Sequence, residues 1–124
     1  MKIQFTDREA EVMEVLWERG PSLVSDVRAA LKDDLAYTTV LTVLRMLEGK
    51  GYVNHKQEGR GHRYFATVKQ QSAQKSALQH LTHKLFKGSA ELLLIRLIAD
   101  EKLNTDQIRN MRKLLSNKSD DGET

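Results

Sequence analysis

The side chains best suited to binding chemistry lie between positions 37 and 63. One group carries hydroxyls, a guanidinium and a leucine on the outer side of a predicted helix; its members are Tyr37, Thr38, Thr39, Leu41, Thr42 and Arg45. A second group is cationic and consists of Lys56, Arg60 and Arg63. Hydroxyls bond base edges or phosphates, arginine favours guanine, and an exposed leucine can pack against a thymine methyl. These residue types together favour contact with double-stranded DNA.

Plainer interpretations of both groups stay open at this point. Thr38 or Thr39 would also serve as the cap of an ordinary helix. A cluster of cationic side chains is often only a solvated surface. It would also suit a protein-interaction module that binds an acidic protein partner and has no DNA operator. Arg60, however, stands between Gly59 and Gly61 at the predicted tip of a hairpin. No core role is available there, which suits contact with a phosphate backbone.

Four histidines raise the question of a metal site. His55 and His62 are expected to face each other across the hairpin, and His80 and His83 are three residues apart on a predicted helix. Either pair would suit zinc or copper, which leaves a metal-responsive regulator as an alternative. The sequence places no carboxylate partner beside either pair, so surface or partly buried histidines are the favoured interpretation. No cofactor is predicted.

Length and composition exclude several classes of protein. The chain has 124 residues and no cysteine, which removes disulfides, thiol catalysis, zinc fingers and iron–sulfur ligation. It contains no nucleophile elbow, phosphate-binding loop or HExxH motif, so an enzyme is not expected. No apolar run approaches the roughly 18 to 20 residues of a bilayer span, and no secretory signal is visible. A cytoplasmic protein without membrane insertion is therefore expected.

The net charge of +3 is informative through its placement. Residues 1–34 carry five basic and eight acidic side chains, and residues 35–68 carry five and two. Residues 69–124 carry ten and seven. The surplus of positive charge therefore begins with the stretch that holds both candidate groups.

Two predicted helices precede the first group. Thr6 and Glu9 have the spacing of a capping box, which predicts a helix from about Asp7 to Arg19. The apolar spacing that follows predicts a second helix of roughly eight to ten residues, with Ser22 or Ser25 as its N-cap.

The third helix and a hairpin carry the candidate residues themselves. A helix is predicted over about Thr38 to Lys50, and its core-facing side consists of Val40, Val43, Leu44 and Leu47. The pattern then alternates over Tyr52–Lys56 and His62–Ala66, which predicts a β-hairpin with a glycine-rich tip. This order of elements predicts a mainly α fold with a small β-hairpin, a winged helix-turn-helix over residues 1–68.

A helical dimerisation domain is predicted over residues 69–117, and its last helix is predicted to open at Asn104, with Gln107 three residues later as the capping partner. Residues 90–99 are apolar around nearly the whole circumference, which a helix tolerates only when it is covered on more than one side. The chain has too little left to cover this helix, so we expect it at the centre of an obligate homodimer. The predicted dimer contacts are Leu81, Leu85, Leu92, Leu93, Ile95, Leu97, Ile98, Ile108, Met111 and Leu115. Residues 118–124 are predicted to be a disordered tail.

Several stretches of this sequence resemble the penicillinase repressor family (BlaI/MecI). They are Thr6–Met13 with Leu16-Trp17, then Ala36–Leu44 and Lys50–Val53, and Arg63-Tyr64-Phe65 of the second wing strand adds to them. The similarity spans almost the whole chain, although the C-terminal helices match mainly in pattern. The resemblance implies a dimeric winged-helix repressor that binds inverted-repeat operators through the start of its third helix and its wing.

The resemblance also bears on how such a repressor is released. In the antibiotic-resistance members, a membrane-bound metalloprotease sensor triggers cleavage in the C-terminal domain, at an asparagine followed by a phenylalanine. The corresponding stretch here reads Ile95-Arg96-Leu97-Ile98. Release by proteolysis and release by another signal therefore both stay open. Copper-responsive relatives carry a C-terminal cysteine motif, and this chain has no cysteine.

Overall fold

The computed structural model describes residues 2–122, with side chains up to residue 118. The elements in chain order are α1 (Asp7–Arg19), β1 (Ser22–Leu23), α2 (Val24–Ala30), α3 (Tyr37–Gly49), β2 (Val53–Glu58), β3 (Gly61–Ala66), α4 (Gln70–Leu85), α5 (Ala90–Asp100) and α6 (Thr105–Gly122). Three helices followed by a hairpin confirm the predicted winged helix-turn-helix. Within residues 2–122, no helix is both long and apolar enough to cross a bilayer.

The chain forms two compact units that divide between His80 and Leu81. This division lies inside α4, later than the boundary predicted after residue 68. The reason is that the first half of α4 packs into the N-terminal unit, where Ala73 and Ser76 are buried. The amide of Ile3 donates a hydrogen bond of 2.8 Å to Ser76 Oγ. A polar residue gives no hydrophobic signal, so the apolar pattern could not predict this attachment.

One apolar core holds the N-terminal unit together. It draws on all three of the first helices and on the sheet, and its most buried members are Val12, Met13, Val27, Val40, Leu44, Leu47 and Tyr64. Val43, which was predicted to face the core, packs against it only in part. Because α1, α2 and α3 share this core, the orientation of α3 is set by close packing on its inner side.

The capping box at the start of α1 is confirmed, and its buried carboxylate also forms an ion pair. The amide of Glu9 donates to the Thr6 hydroxyl, and the amide of Thr6 donates to the Glu9 carboxylate. Lys50, at the end of α3, lies 2.8 Å from the same carboxylate oxygen. Burial alone would raise the pKa of Glu9, but the hydrogen bonds from Lys50 and Thr6 outweigh it and leave this pKa below its ordinary value.

The start of α2 differs from the prediction. The N-cap is Leu23, and the cap is made from inside the helix, because the Asp26 carboxylate accepts a bond of 3.1 Å from the Leu23 amide. Ser22 is buried in β1, where its hydroxyl donates to the Gly20 carbonyl instead. Ser25 lies in the first turn of α2, which spans seven residues, fewer than expected.

The sheet has the order β1-β3-β2 and is antiparallel throughout. Glu58 pairs with Gly61, so only Gly59 and Arg60 form the turn and both strands of the hairpin are longer at the tip than predicted. Gly59 has a φ of 59°, a conformation that residues with a Cβ rarely adopt. This turn places Arg60 at the tip of the wing.

The C-terminal unit consists of the end of α4 with α5 and α6. Ser89 caps α5, and Asn104 and Gln107 cap α6 reciprocally, as the sequence predicts for that helix. Helix α6 continues to Gly122, so it extends into the stretch from residue 118 for which a disordered tail is predicted. Residues 123 and 124 lie outside the described residues.

Candidate nucleic-acid interface

Helix α3 turns most of the predicted hydroxyl group outward. Val40, Leu44 and Leu47 occupy the buried side of this helix. The exposed side carries Tyr37, Thr38, Thr39, Thr42, Arg45 and Met46. The tight packing beneath these side chains gives them a rigid base, which a surface that reads DNA shape and base edges requires.

Leu41 departs from the prediction of an outward-facing leucine. It is half-buried and packs against the edge of the core. The reason is its position next to Val40 on a helix whose buried side is wider than the predicted stripe. Part of Leu41 remains accessible, so contact with a thymine methyl is limited to that part.

The first turn of α3 has no side-chain cap. Its N-cap is Ala36, which makes no side-chain hydrogen bond, so the plainer interpretation that Thr38 or Thr39 caps the helix is wrong. The first turn also contains no acidic residue. Unsatisfied amides at a helix N-terminus together with the helix dipole attract anions, and phosphate is the anion that DNA supplies.

Thr42 lies one turn further along the exposed side. Its hydroxyl donates a hydrogen bond of 2.8 Å to the carbonyl of Thr38. The hydroxyl proton is therefore occupied within the helix, while the oxygen can still accept a hydrogen bond. An exposed acceptor beside a methyl group suits an amino group or a thymine methyl on a base edge.

Arg45 lies where α3 meets the sheet. Its guanidinium interacts with Tyr64, a fully buried tyrosine on β3. Burial raises the pKa of Tyr64, the nearby Glu48 carboxylate raises it further, and the charge and hydrogen bond of Arg45 oppose both. Arg45 itself is exposed, so its guanidinium is accessible to a ligand as well.

The register of the hairpin determines the face of the wing on which Lys56 and Arg63 lie. Lys56 pairs with Arg63 across the two strands, on the opposite face from His55 and Tyr64. His55 hydrogen-bonds Glu48 of α3, so it is the His55 face that lies against α3. The Lys56 and Arg63 side chains therefore emerge on the outer face of the wing, away from α3.

Arg63 is held by groups of its own chain. It forms an ion pair with Glu58, and its Nη1 donates to the carbonyl of Pro21 at 3.2 Å. The hydrogen bond from Arg63 keeps the pKa of Glu58 below its ordinary value, and Glu58 in turn raises the pKa of Arg63. Glu58 was not predicted as the partner of Arg63. Its position at the end of a strand, beside a glycine-containing turn, could have indicated the pair. Arg60 and Lys56 are exposed, and neither has an ion-pair partner among the described side chains.

The histidines form one pair and two separate side chains. His55 and His62 stack with ring centroids 4.5 Å apart, and Glu48 binds His55 from α3. The sequence did not reveal this carboxylate partner, because Glu48 comes close only through the packing of α3 on the hairpin. His80 lies 3.5 Å from the side-chain amide of Gln4, and His83 is exposed. Among the described residues, no three His, Asp or Glu side chains are grouped as a metal site would need.

The helices of the C-terminal unit expose the apolar residues predicted for a dimer. Helix α5 has no buried residue, and Ile98 on it is 59% exposed. Of the predicted contacts, Leu93 and Met111 are half-buried, and the remainder are exposed. An apolar groove of about 780 Å³ runs between α5 and α6. Its lining includes three leucines outside the predicted set, namely Leu94, Leu103 and Leu114.

Comparisons with known proteins agree on one family. The family model described as "Penicillinase repressor" matches residues 5–117. The methicillin resistance regulatory protein MecI of Staphylococcus aureus strain N315 is 21% identical over 117 residues, which cover 93% of this chain and 95% of that protein. The transcriptional regulator BlaI of Mycobacterium tuberculosis strain H37Rv is 48% identical over 61 residues, which cover 47% of this chain and 44% of that protein.

The fold also matches solved regulators. The transcriptional regulator Tm0710 from Thermotoga maritima aligns with a TM-score of 0.51 and 17% sequence identity, over 94% of this chain and 77% of that one. At this identity the likeness establishes the winged-helix fold alone.

Proposed function

The chain belongs to the penicillinase repressor family, and we propose that it acts as a homodimer that represses transcription from an inverted-repeat operator. Membership makes it a DNA-binding transcriptional regulator of winged-helix type and not an enzyme. The proposal concerns how it binds and assembles. The observation that carries it is that α5, with apolar side chains around most of its surface, buries none of them within its own chain.

Helix α3 is the element that we place in the major groove. Its uncapped first turn, with Tyr37, Thr38 and Thr39, suits the phosphates at the edge of the groove. Thr42 and Arg45 lie further along the same exposed side and suit base edges, Arg45 through guanine. Leu41 contributes only through its accessible edge.

The wing supplies phosphate contacts beside the groove. Arg60 at the tip is exposed and without an ion-pair partner among the described side chains, which makes it the best placed cation of the hairpin. Lys56 is exposed but emerges on the outer face. Arg63 is held by Glu58 and Pro21, so its contribution is to fix the hairpin and not to bind DNA directly.

The C-terminal unit holds two copies together in this proposal. Exposed large apolar side chains over α4, α5 and α6 form a surface that water disfavours, and a second copy of the same helices is the simplest cover. A two-fold dimer presents two α3 helices to one duplex. Half-sites repeated about a centre are the geometric consequence.

The test combines assembly with DNA binding. We expect the full chain to sediment as a dimer and to retard a fragment of its own upstream region. Replacing Ile98 by Glu places a charge in the apolar surface, so dimerisation and binding to the complete operator should both be lost. Asn110→Glu adds the same charge to an exposed polar position on α6 and should leave both unchanged.

Two outcomes would contradict the proposal. One is a wild-type chain that sediments as a monomer at micromolar concentration and fails to bind its upstream region. The other is an Ile98→Glu variant that remains a dimer, since this would place the contact surface elsewhere.

A further inference from the structure

An open hollow lies on the outer face of the wing, on the side away from α3. The end of α1 and the turn at Gly20 and Pro21 form one wall, and strands β2 and β3 form the other. The hollow has a volume of about 780 Å³. Pockets for small organic ligands typically measure roughly 300 to 1,000 Å³, so this one is large enough for a ring system.

The floor of the hollow is apolar and partly aromatic. Trp17, Phe65 and Val68 are half-buried and line it together with Leu16. The indole Nε1 of Trp17 donates to the Val68 carbonyl at 2.9 Å, and Phe5 packs edge-on against the same ring at 5.9 Å between centroids. The indole is thus held in place, and its exposed part lines the hollow.

The rim of the hollow is cationic. Lys56 and Lys69 stand on it, and neither forms an ion pair with a described side chain. Arg63 and Glu58 also lie on the rim but neutralise each other. An apolar aromatic floor below two unpaired ammonium groups is complementary to a molecule with a flat ring and one negative charge.

We propose that this hollow binds a small aromatic carboxylate, with its ring against Trp17 and Phe65 and its carboxylate beside Lys56 and Lys69. The site is distinct from the DNA-reading side of α3. Binding to it is measurable without DNA, so the proposal does not depend on an operator or on the dimer.

The experiment follows the indole N–H of Trp17, the one tryptophan of the chain, by nitrogen–proton correlation NMR on the full-length protein. The probes are naphthalene carboxylate, the uncharged naphthalene methanol and the ring-free acetate. We expect a saturable shift of the indole signal with the carboxylate. Naphthalene methanol should bind at least several-fold more weakly, and acetate should leave the signal unmoved.

Variants separate the charge from the ring. Lys56→Gln with Lys69→Gln keeps a polar side chain at each position and removes both charges, and we expect carboxylate affinity to fall roughly five- to tenfold. Lys32→Gln removes an exposed lysine elsewhere in the same unit and should change nothing. Phe65→Leu keeps an apolar wall without the ring and should weaken both naphthalene probes alike. An unchanged melting temperature shows that each variant is folded.

Three results would overturn the proposal. They are a carboxylate titration without saturation, equal affinity for the carboxylate and the alcohol, and an unaltered affinity in the folded double lysine variant.

Discussion

The two compact units of this protein differ in where their apolar side chains lie. In the N-terminal unit, α1, α2 and α3 bury their apolar sides in one core, so that α3 is fixed before any ligand is present. In the C-terminal unit, no side chain of α5 is fully buried, and Leu85 and Leu114 are largely exposed. The first unit is built to be complete as a single copy. The second exposes apolar side chains that a further copy of the chain would cover.

The largest expected effect is on stability, and it follows from the difference in core packing between the two units. Leu44→Ala should lower the free energy of unfolding by about 2–5 kcal/mol, because Leu44 is fully buried and its removal leaves a cavity. Leu85→Ala, at 67% exposure, should cost about 0.5 kcal/mol or less in protein diluted until it is monomeric. Urea unfolding of both variants measures the difference. Similar losses would mean that the two units are not distinct in this way.

Dilution should affect only the second unit. If a second copy covers α5, association stabilises this helix by an amount that depends on protein concentration. Each tenfold dilution through the dissociation range lowers that stabilisation by about 1.4 kcal/mol per mole of dimer. Hydrogen exchange of α5 amides should therefore accelerate on dilution, while amides of α1 and α3 keep their rates. Concentration-independent exchange in α5 would contradict a covering partner.

Acid should destabilise the N-terminal unit by protonating Glu9. The folded-state pKa of this carboxyl lies below its ordinary value of 4.5, so the stability it contributes is present above pH 4.5. That contribution is lost as the pH falls from 4.5 through the folded pKa. Glu9→Gln should be less stable at neutral pH and show a flatter decline in acid. An acid decline as steep as that of the wild type would exclude Glu9 as its source.

The smallest expected effects concern DNA binding by the first unit. Arg60→Ala should weaken binding to matched and scrambled duplexes alike and reduce the log–log salt slope by about 0.9 for each phosphate that the protein no longer neutralises. Thr42→Ala should mainly change the ranking among operator variants. Titrations across salt concentration and operator sequence measure both. Identical effects of the two variants would remove this division between phosphate and base recognition.

Local sequence signals predicted the elements well. The caps at Thr6 and Asn104 are confirmed because such caps depend on residues only three apart. The prediction for α2 is wrong at the same level of detail. Ser22 and Ser25 were both predicted as possible N-caps. Instead, Asp26 caps the helix from its first turn, and Ser22 is buried in β1.

Contacts between elements were harder to predict. The pairs Glu9–Lys50 and Glu48–His55 join residues whose proximity depends on how α3 packs on its neighbours. The pair Glu58–Arg63 depends on the strand register, which the two-residue turn sets. The sequence therefore indicated which cations the site contains, but not which of them are already paired.

Those internal pairings bear on how such a regulator behaves when the ionic composition around it changes. Of the five basic residues between positions 35 and 68, Lys50 and Arg63 are engaged by carboxylates of the same chain. Fewer cations are left to displace counterions from a duplex than a simple count of charges suggests. If the protein binds DNA as proposed, we expect its affinity to fall less with rising potassium concentration than that of a regulator whose basic residues are all unpaired.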